Sequence, residues 1–336
     1  MKKTITAVVL TAWCASGSAA SAQILESVGE RALGMGGAFV GVATDSSATW
    51  WNPAALATGP FLDLTLGHQI STTDGKLPAE RGRTSWVAIA APPVGFSYYR
   101  FRITHALDPT AQPRAHRQEG GATVSLRSLA VNQLGVTLVH SLVSGVHVGT
   151  TLKYVHAAPS FALGDVGGST SDLLDTGDEL SAGDGQDAFD LDVGAVATAG
   201  PLRVGGVVRN VREPDFDGGG DEPFRLPRQV RAGVAFDAER TPIGIPLIVS
   251  LDADLKAYTV GTGERRVVAL GAEHWLMARR LGVRGGGRFN TSGRQDRAAT
   301  AGLSVAVRSG LFVEAHGVRG GGDDERGWGV SARVSF

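Results

Sequence analysis

The chain has 336 residues, a formal net charge of −1 and one cysteine. Balanced charge excludes the basic footprint of a nucleic-acid binder, and a lone cysteine excludes a disulfide framework or a thiolate metal cage. Its 47 glycines are scattered through alternating apolar and polar segments rather than gathered into linkers, which argues against a disordered chain.

At the amino terminus, Lys2 and Lys3 precede an apolar stretch, and small residues lead to Ala20-Ser21-Ala22 ahead of Gln23. This is the pattern of a cleaved export signal over residues 1–22. Cys14 follows Trp13, a bulky residue where lipoprotein processing requires a small one, so Cys14 is expected to leave with the signal. No later apolar run approaches the ~20 residues of a transmembrane helix.

Residues 23–60 differ from the rest. The run from Glu30 through Gly34, Met35, Gly36, Gly37 and Phe39 to Ala43 is rich in glycine, and Asp45-Ser46-Ser47-Ala48-Thr49 follows, leading into Trp50, Trp51, Asn52 and Pro53. A phosphate-cradling loop needs a strand before it, a long helix after it and an acid farther on, and none of these is present. Close backbone packing is the alternative, with Asp45 or Ser46 capping a short helical turn. Trp50 and Trp51 then read either as stacking partners for an apolar ligand or as wedges against a wall.

From residue 61 onward, alternation with period two recurs in fourteen segments: 61–70, 83–91, 94–105, 122–141, 146–156, 188–199, 202–212, 228–237, 246–258, 265–276, 280–290, 298–308, 311–318 and 327–336. The fourth is long, yet Val124, Leu126, Leu134, Val136 and Leu138 keep one parity, so a single strand is expected. Short connections such as Pro92-Pro93, Gly200-Pro201 and Ser309-Gly310 alternate with longer ones, the pattern of an outer-membrane barrel with both termini in the periplasm. The 157–187 connection carries seven carboxylates and no basic residue, which fits a solvated acidic loop or a weak cation site.

Apolar and polar faces separate cleanly on these strands. Val249 and Leu251 oppose Asp252, Asp254 and Lys256, while Leu281 and Val283 oppose Arg284 and Arg288; Glu273, Glu314 and Arg333 extend the charged face. No second layer of sequence covers the apolar face, and fourteen strands enclose more space than wall side chains fill. The expectation is an all-β, transmembrane antiparallel barrel of about 14 strands over 61–336, apolar outward to outer-membrane lipid and charged inward, with Trp86, Trp275, Trp328 and Phe336 as interface anchors. The sequence presents no nucleophile motif, zinc-protease motif or retained cysteine beside Glu314 and His316, so neither enzyme chemistry nor a cofactor or metal is expected.

The pairing of the Arg31 to Phe39 run with the Asp45 to Leu56 run resembles the amino-terminal signature of the FadL-like outer-membrane proteins, most of all their PorV/PorQ branch. That resemblance implies a fourteen-stranded barrel whose 23–60 segment forms a hatch in the lumen, with Gly34, Met35, Gly36, Gly37, Asn52 and Pro53 among its residues. It also implies either gated passage of small hydrophobic or amphipathic molecules or, alternatively, a platform for secretion-system proteins. The charged lumen set is richer than an oily conduit requires.

Overall fold

The structure is a computed structural model that describes residues 21–22, 28–107, 123–165, 168–217, 224–260, 263–293, 296–321 and 325–336. The signal-peptide reading of 1–22 and the fate of Cys14 fall outside these residues, apart from the backbone of Ser21–Ala22.

Fourteen strands form the barrel: β1 (Asp63–Thr73), β2 (Ala79–Ala91), β3 (Val94–Leu107), β4 (Thr123–Val143), β5 (Val146–Asp165), β6 (Gln186–Ala199), β7 (Leu202–Arg209), β8 (Gln229–Asp237), β9 (Leu247–Asp254), β10 (Val267–Leu276), β11 (Leu281–Asn290), β12 (Arg297–Arg308), β13 (Leu311–Gly321) and β14 (Arg326–Ser335). Each pairs antiparallel with its sequence neighbours, and β14 closes the sheet against β1 from Ser335–Asp63 to Arg326–Thr72. Closure leaves no barrel edge to pair with another chain. β4 is one strand of 21 residues, as its unbroken parity requires.

The outward face is ordered in rows along the pairing direction. Leu66, Val87, Tyr98, Leu134, Tyr154 and Phe189 are register partners across six strands, and all six are exposed. One step toward the short turns the row reads Leu64, Ile89, Phe96, Val136, Leu152, Leu191. One step the other way it reads His68, Ser85, Arg100, Asn132, His156, Asp187. An apolar belt thus ends at a sharp polar border, with aromatic rings in its last row. Trp328 and Phe336 are exposed on this face. Trp86 and Trp275 are not anchors: Trp86 is buried in the lumen, stacked on Tyr99, and Trp275 points inward to bond Glu273, because both share the parity of the inner face.

Two departures concern the 157–187 stretch. β5 continues to Asp165 in register with β4, its alternation hidden by Ala157-Ala158-Pro159. A helix, α3 (Thr170–Asp178), then forms behind a reciprocal Ser169–Asp172 capping box. Leu173 and Leu174 pack on Ala79, Ala106, Val124 and Leu126, the outward face of the wall above the polar border. Arg81 and Arg83 of β2 bond Asp178, which is buried, and Arg81 also meets Asp175, which stays exposed to solvent. Among the described residues no cluster fit for a metal ion occurs.

Asp63 and Ser335 lie side by side at the end of the short turns. Ser21–Ala22 instead pairs with Phe224–Arg225 and with Val260, in the long connections of the opposite end, within a small separate sheet. These two residues belong to the 1–22 stretch expected to leave with the signal, so their pairing does not bear on the mature amino terminus.

Candidate functional site: the lumen and its plug

Residues 28–58 run through the lumen as α1 (Glu30–Gly34), a glycine turn, α2 (Ala48–Trp51) and a 3-10 turn (Pro53–Thr58). Helices this short cannot stand alone, so their stability comes from the wall. Met35, Phe39, Trp50, Trp51 and Leu56 are buried in one apolar cluster with wall residues Tyr99, Phe101, Val131 and Val155. Gly34, Gly36, Gly37, Asn52 and Pro53 are buried as well.

Close approach explains two glycine positions. Gly36 has φ of 71°, and a Cβ there would lie 2.7 Å from the Gly287 carbonyl oxygen of β11. On the wall side, a Cβ at Gly286 would collide with the Met35 backbone. Gly37 differs: its φ is 84°, but its neighbour is the Trp51 ring of the plug itself.

Polar fastenings hold the plug at three heights. Arg31 donates two hydrogen bonds to Glu273 at 2.7 Å each, and Arg284 and Trp275 donate to the same carboxylate at 2.6 and 3.1 Å. Such a fork is the strong, geometrically specific form of a charge-assisted pair. Asp252 accepts from the backbone N–H groups of Phe39 and Val40, both at 2.7 Å. Asn52 spans plug and wall, donating to the Val40 and Ala195 carbonyls while its side-chain oxygen accepts from Ala54 N–H. Near the short-turn end, Ser46 donates its N–H to Asp63, which Arg333 bonds at 2.8 Å. The Arg209 guanidinium lies 5.2 Å from the Trp50 ring centroid, and Arg231 lies 5.8 Å from that of Trp51. The two tryptophans are thus wedges, gripped by wall cations and by the Trp51 Nε1 bond to the Val28 carbonyl.

Other lumen charges pair among themselves. Lys153 meets Asp190 and Asp192 at 3.0 and 2.6 Å, and Arg231 bonds Asp254 at 2.8 Å. Glu314 stands 3.5 Å from both Arg284 and Arg333. Arg288 bonds Glu325 near the outer mouth. Lys256 is not lumen-lining: β9 ends at Asp254, and the lysine is exposed over the Tyr258 ring.

Among the described residues, Glu30 departs from this pairing. It is 1% exposed, and among the described residues neither carboxylate oxygen has a hydrogen bond of good geometry, the Ser331 hydroxyl and the local backbone giving its charged form only weak support. Burial, with Glu314 and Asp45 nearby, pushes its carboxyl up to about 8. The sequence pattern put Lys153 on the inward face but marked out none of Glu30, Arg31, Asp63 or Tyr99 as site residues. The signal for Arg31 was available, since it begins the glycine motif and faces a wall with unmatched carboxylates. Beyond α1, a cavity of about 180 Å³ opens beside Gln69, Glu80, Arg265, Arg288, Asn290 and His316. Its lining is mixed, with Leu33, Ile70, Val267 and Val318 beside the polar groups.

A closed fourteen-stranded antiparallel barrel with an amino-terminal segment packed against its inner wall defines the class of the molecule: a β-barrel filled from within by its own chain. More specifically, residues 49–246, over half of the chain, match the family of the F plasmid transfer operon TraF protein, and the chain belongs to that family. Solved structures of the same fold include the Ralstonia pickettii toluene transporter TbuX, at 14% identity over 93% of this chain and 99% of that one, with a TM-score of 0.61. The monoaromatic hydrocarbon channel CymD is similar at 15% identity, covering 92% and 97% of the two chains, with a TM-score of 0.63. A Pseudomonas aeruginosa FadL homologue is similar at 12% identity over 90% and 97%, with a TM-score of 0.57. No curated protein sequence matches the chain.

Proposed function

We propose that the protein is a gated passage of the outer membrane for small hydrophobic or amphipathic molecules, its gate being the 28–58 plug. The observation that carries this reading is the mode of fastening: the plug is tied to the wall by a handful of charge-assisted contacts centred on Glu273 and Asp252, each reversible without unfolding a strand. Capture would occur at the mouth formed by the long connections, and displacement of the plug would open the lumen below. The hydrocarbon channels and transporters of the same fold support it by analogy of architecture.

A second reading is favoured by the cavity. At about 180 Å³, it is smaller than the roughly 300–1,000 Å³ of usual ligand sites, and Glu80, Arg265 and Arg288 put charge in its lining. A barrel serving as a platform for proteins of a secretion or transfer apparatus needs no apolar cargo site, and the family's transfer-operon name points the same way. Vesicles holding the purified barrel separate the two. Uptake of a small aromatic hydrocarbon that rises when Glu273 is changed to Ala supports the gate. Equal, negligible uptake by both proteins supports the platform.

A further inference from the structure

We propose that the outward face of β1–β3 with β13 and β14 carries a specific site for one anionic phospholipid, its phosphate on Arg100 and its acyl chains in the groove beneath. The inference rests on the membrane placement proposed above. The groove, of about 670 Å³, is lined on the apolar side by Leu66, Val87, Val313, Val330 and Ala332, and on the polar side by His68 and Arg100. Ala332 is small between its register partners Leu66 and Val313, and Ser85 is small between His68 and Arg100, which is why the wall is recessed there.

Arg100 occupies the border row, one step above the ring of Tyr98. It is exposed, and no acceptor for its guanidinium is found among the described residues. Its neighbours are already committed: His68 Nδ1 to Ser85 Oγ at 2.8 Å, and the Tyr98 hydroxyl, which donates to Asn132 Oδ1 at 3.0 Å. Farther out on the same face, Arg83 bonds Asp178, and Arg102 donates to the Asp178 carbonyl. An arginine at the foot of a belt border snorkels toward headgroup phosphates, and here the recess below supplies a berth for chains. A free anion would leave that recess unfilled. A zwitterionic lipid would bring its own cation to a site already positive.

The full chain in detergent micelles is titrated with phosphatidylglycerol, with phosphatidylcholine and with inorganic phosphate, and bound species are counted by native mass spectrometry. One phosphatidylglycerol should be retained at a roughly tenfold lower concentration than phosphatidylcholine, the scale of one charge-assisted contact. Arg100→Gln should abolish this preference and Arg100→Lys should keep most of it, while Arg319→Gln, on the exposed outer end of β13, should leave it unchanged. Ala332→Trp fills the groove without touching the guanidinium and should lower retention as much as Arg100→Gln. Heat-modifiable migration on a gel reports barrel folding independently of lipid, and if Arg100→Gln fails that check, Ala332→Trp decides. Equal retention of the two lipids, an unchanged Ala332→Trp protein, or displacement of the lipid by inorganic phosphate would overturn the proposal. Loss of membrane fractionation by the wild type would instead overturn the placement on which it rests.

Discussion

A carboxyl buried in a packed lumen, as at Glu30, is neutral at pH 7 when burial holds its pKa near 8. Because that value exceeds the ordinary 4.5, docking of the plug is fully supported by this group below pH 4.5 and loses that support as pH rises through about 8. Protease resistance of residues 28–58 should therefore fall between pH 5 and 9, and Glu30→Gln, neutral throughout, should flatten the profile. A wild-type profile that is already flat would remove Glu30 from the gate. Gly36 makes a steric counterpart. Gly36→Val must relieve both a positive φ and a contact with the Gly287 carbonyl, at a cost of about 1–3 kcal/mol, and should expose the plug to protease while heat-modifiable migration persists. Gly37→Val strains the backbone too, yet meets Trp51 instead of the wall, so the shift in tryptophan fluorescence should be larger for Gly37 than for Gly36. The glycine motif was legible as close packing, but which glycine meets which wall is decided by register across the lumen, and no local pattern encodes that.

At the scale of elements, strands were legible because each side chain on one face meets lipid and each on the other meets the lumen, which writes a period of two from Asp63 to Ser335. Where an element is buried by something other than that division, the signal fades. α3 is such a case: seven carboxylates dominate residues 157–187, while its anchoring rests on Leu173, Leu174 and arginines some 90 residues earlier. Asp178 is its central fastening, accepting from Arg81, Arg83 and Thr104. Asp178→Ala should loosen the helix by about 1.5–3 kcal/mol, visible as new cleavage within 168–185 and unchanged protection of the plug. If the plug loosens as well, α3 and the lumen are coupled through β2 and β3. Glu273 works in the lumen as Asp178 does outside. Its removal leaves Arg31 and Arg284 buried without their shared acceptor, an arrangement that costs roughly 3–5 kcal/mol, so Glu273→Ala should free the plug more completely than Gly36→Val.

For the molecule as a whole, the belt and the lumen impose opposite rules on adjacent residues. Leu152 lies in the apolar row one step below that of Leu66 and is 54% exposed, whereas Lys153 is buried between Asp190 and Asp192. Leu152→Arg should cost roughly 2–4 kcal/mol in lipid, seen as a lower denaturant midpoint, and a milder effect than at a border position such as Asn132 would invert the faces. The wall, however, does not fill its own interior. Tyr99, Phe101, Val131 and Val155 are buried only because Trp50, Trp51 and Leu56 lie against them, and Asp63, Asp252 and Glu273 turn part of their bonding capacity to the plug. Deleting residues 28–58 should therefore leave a closed ladder of fourteen strands around a space that water enters, since closure depends on strand pairing alone. Planar-bilayer recordings should show sustained conductance for the truncated barrel and near silence for the full chain. A truncated barrel that migrates as folded yet stays silent would mean that the long connections seal the lumen by themselves, and the plug would then be a brace for a platform rather than a gate.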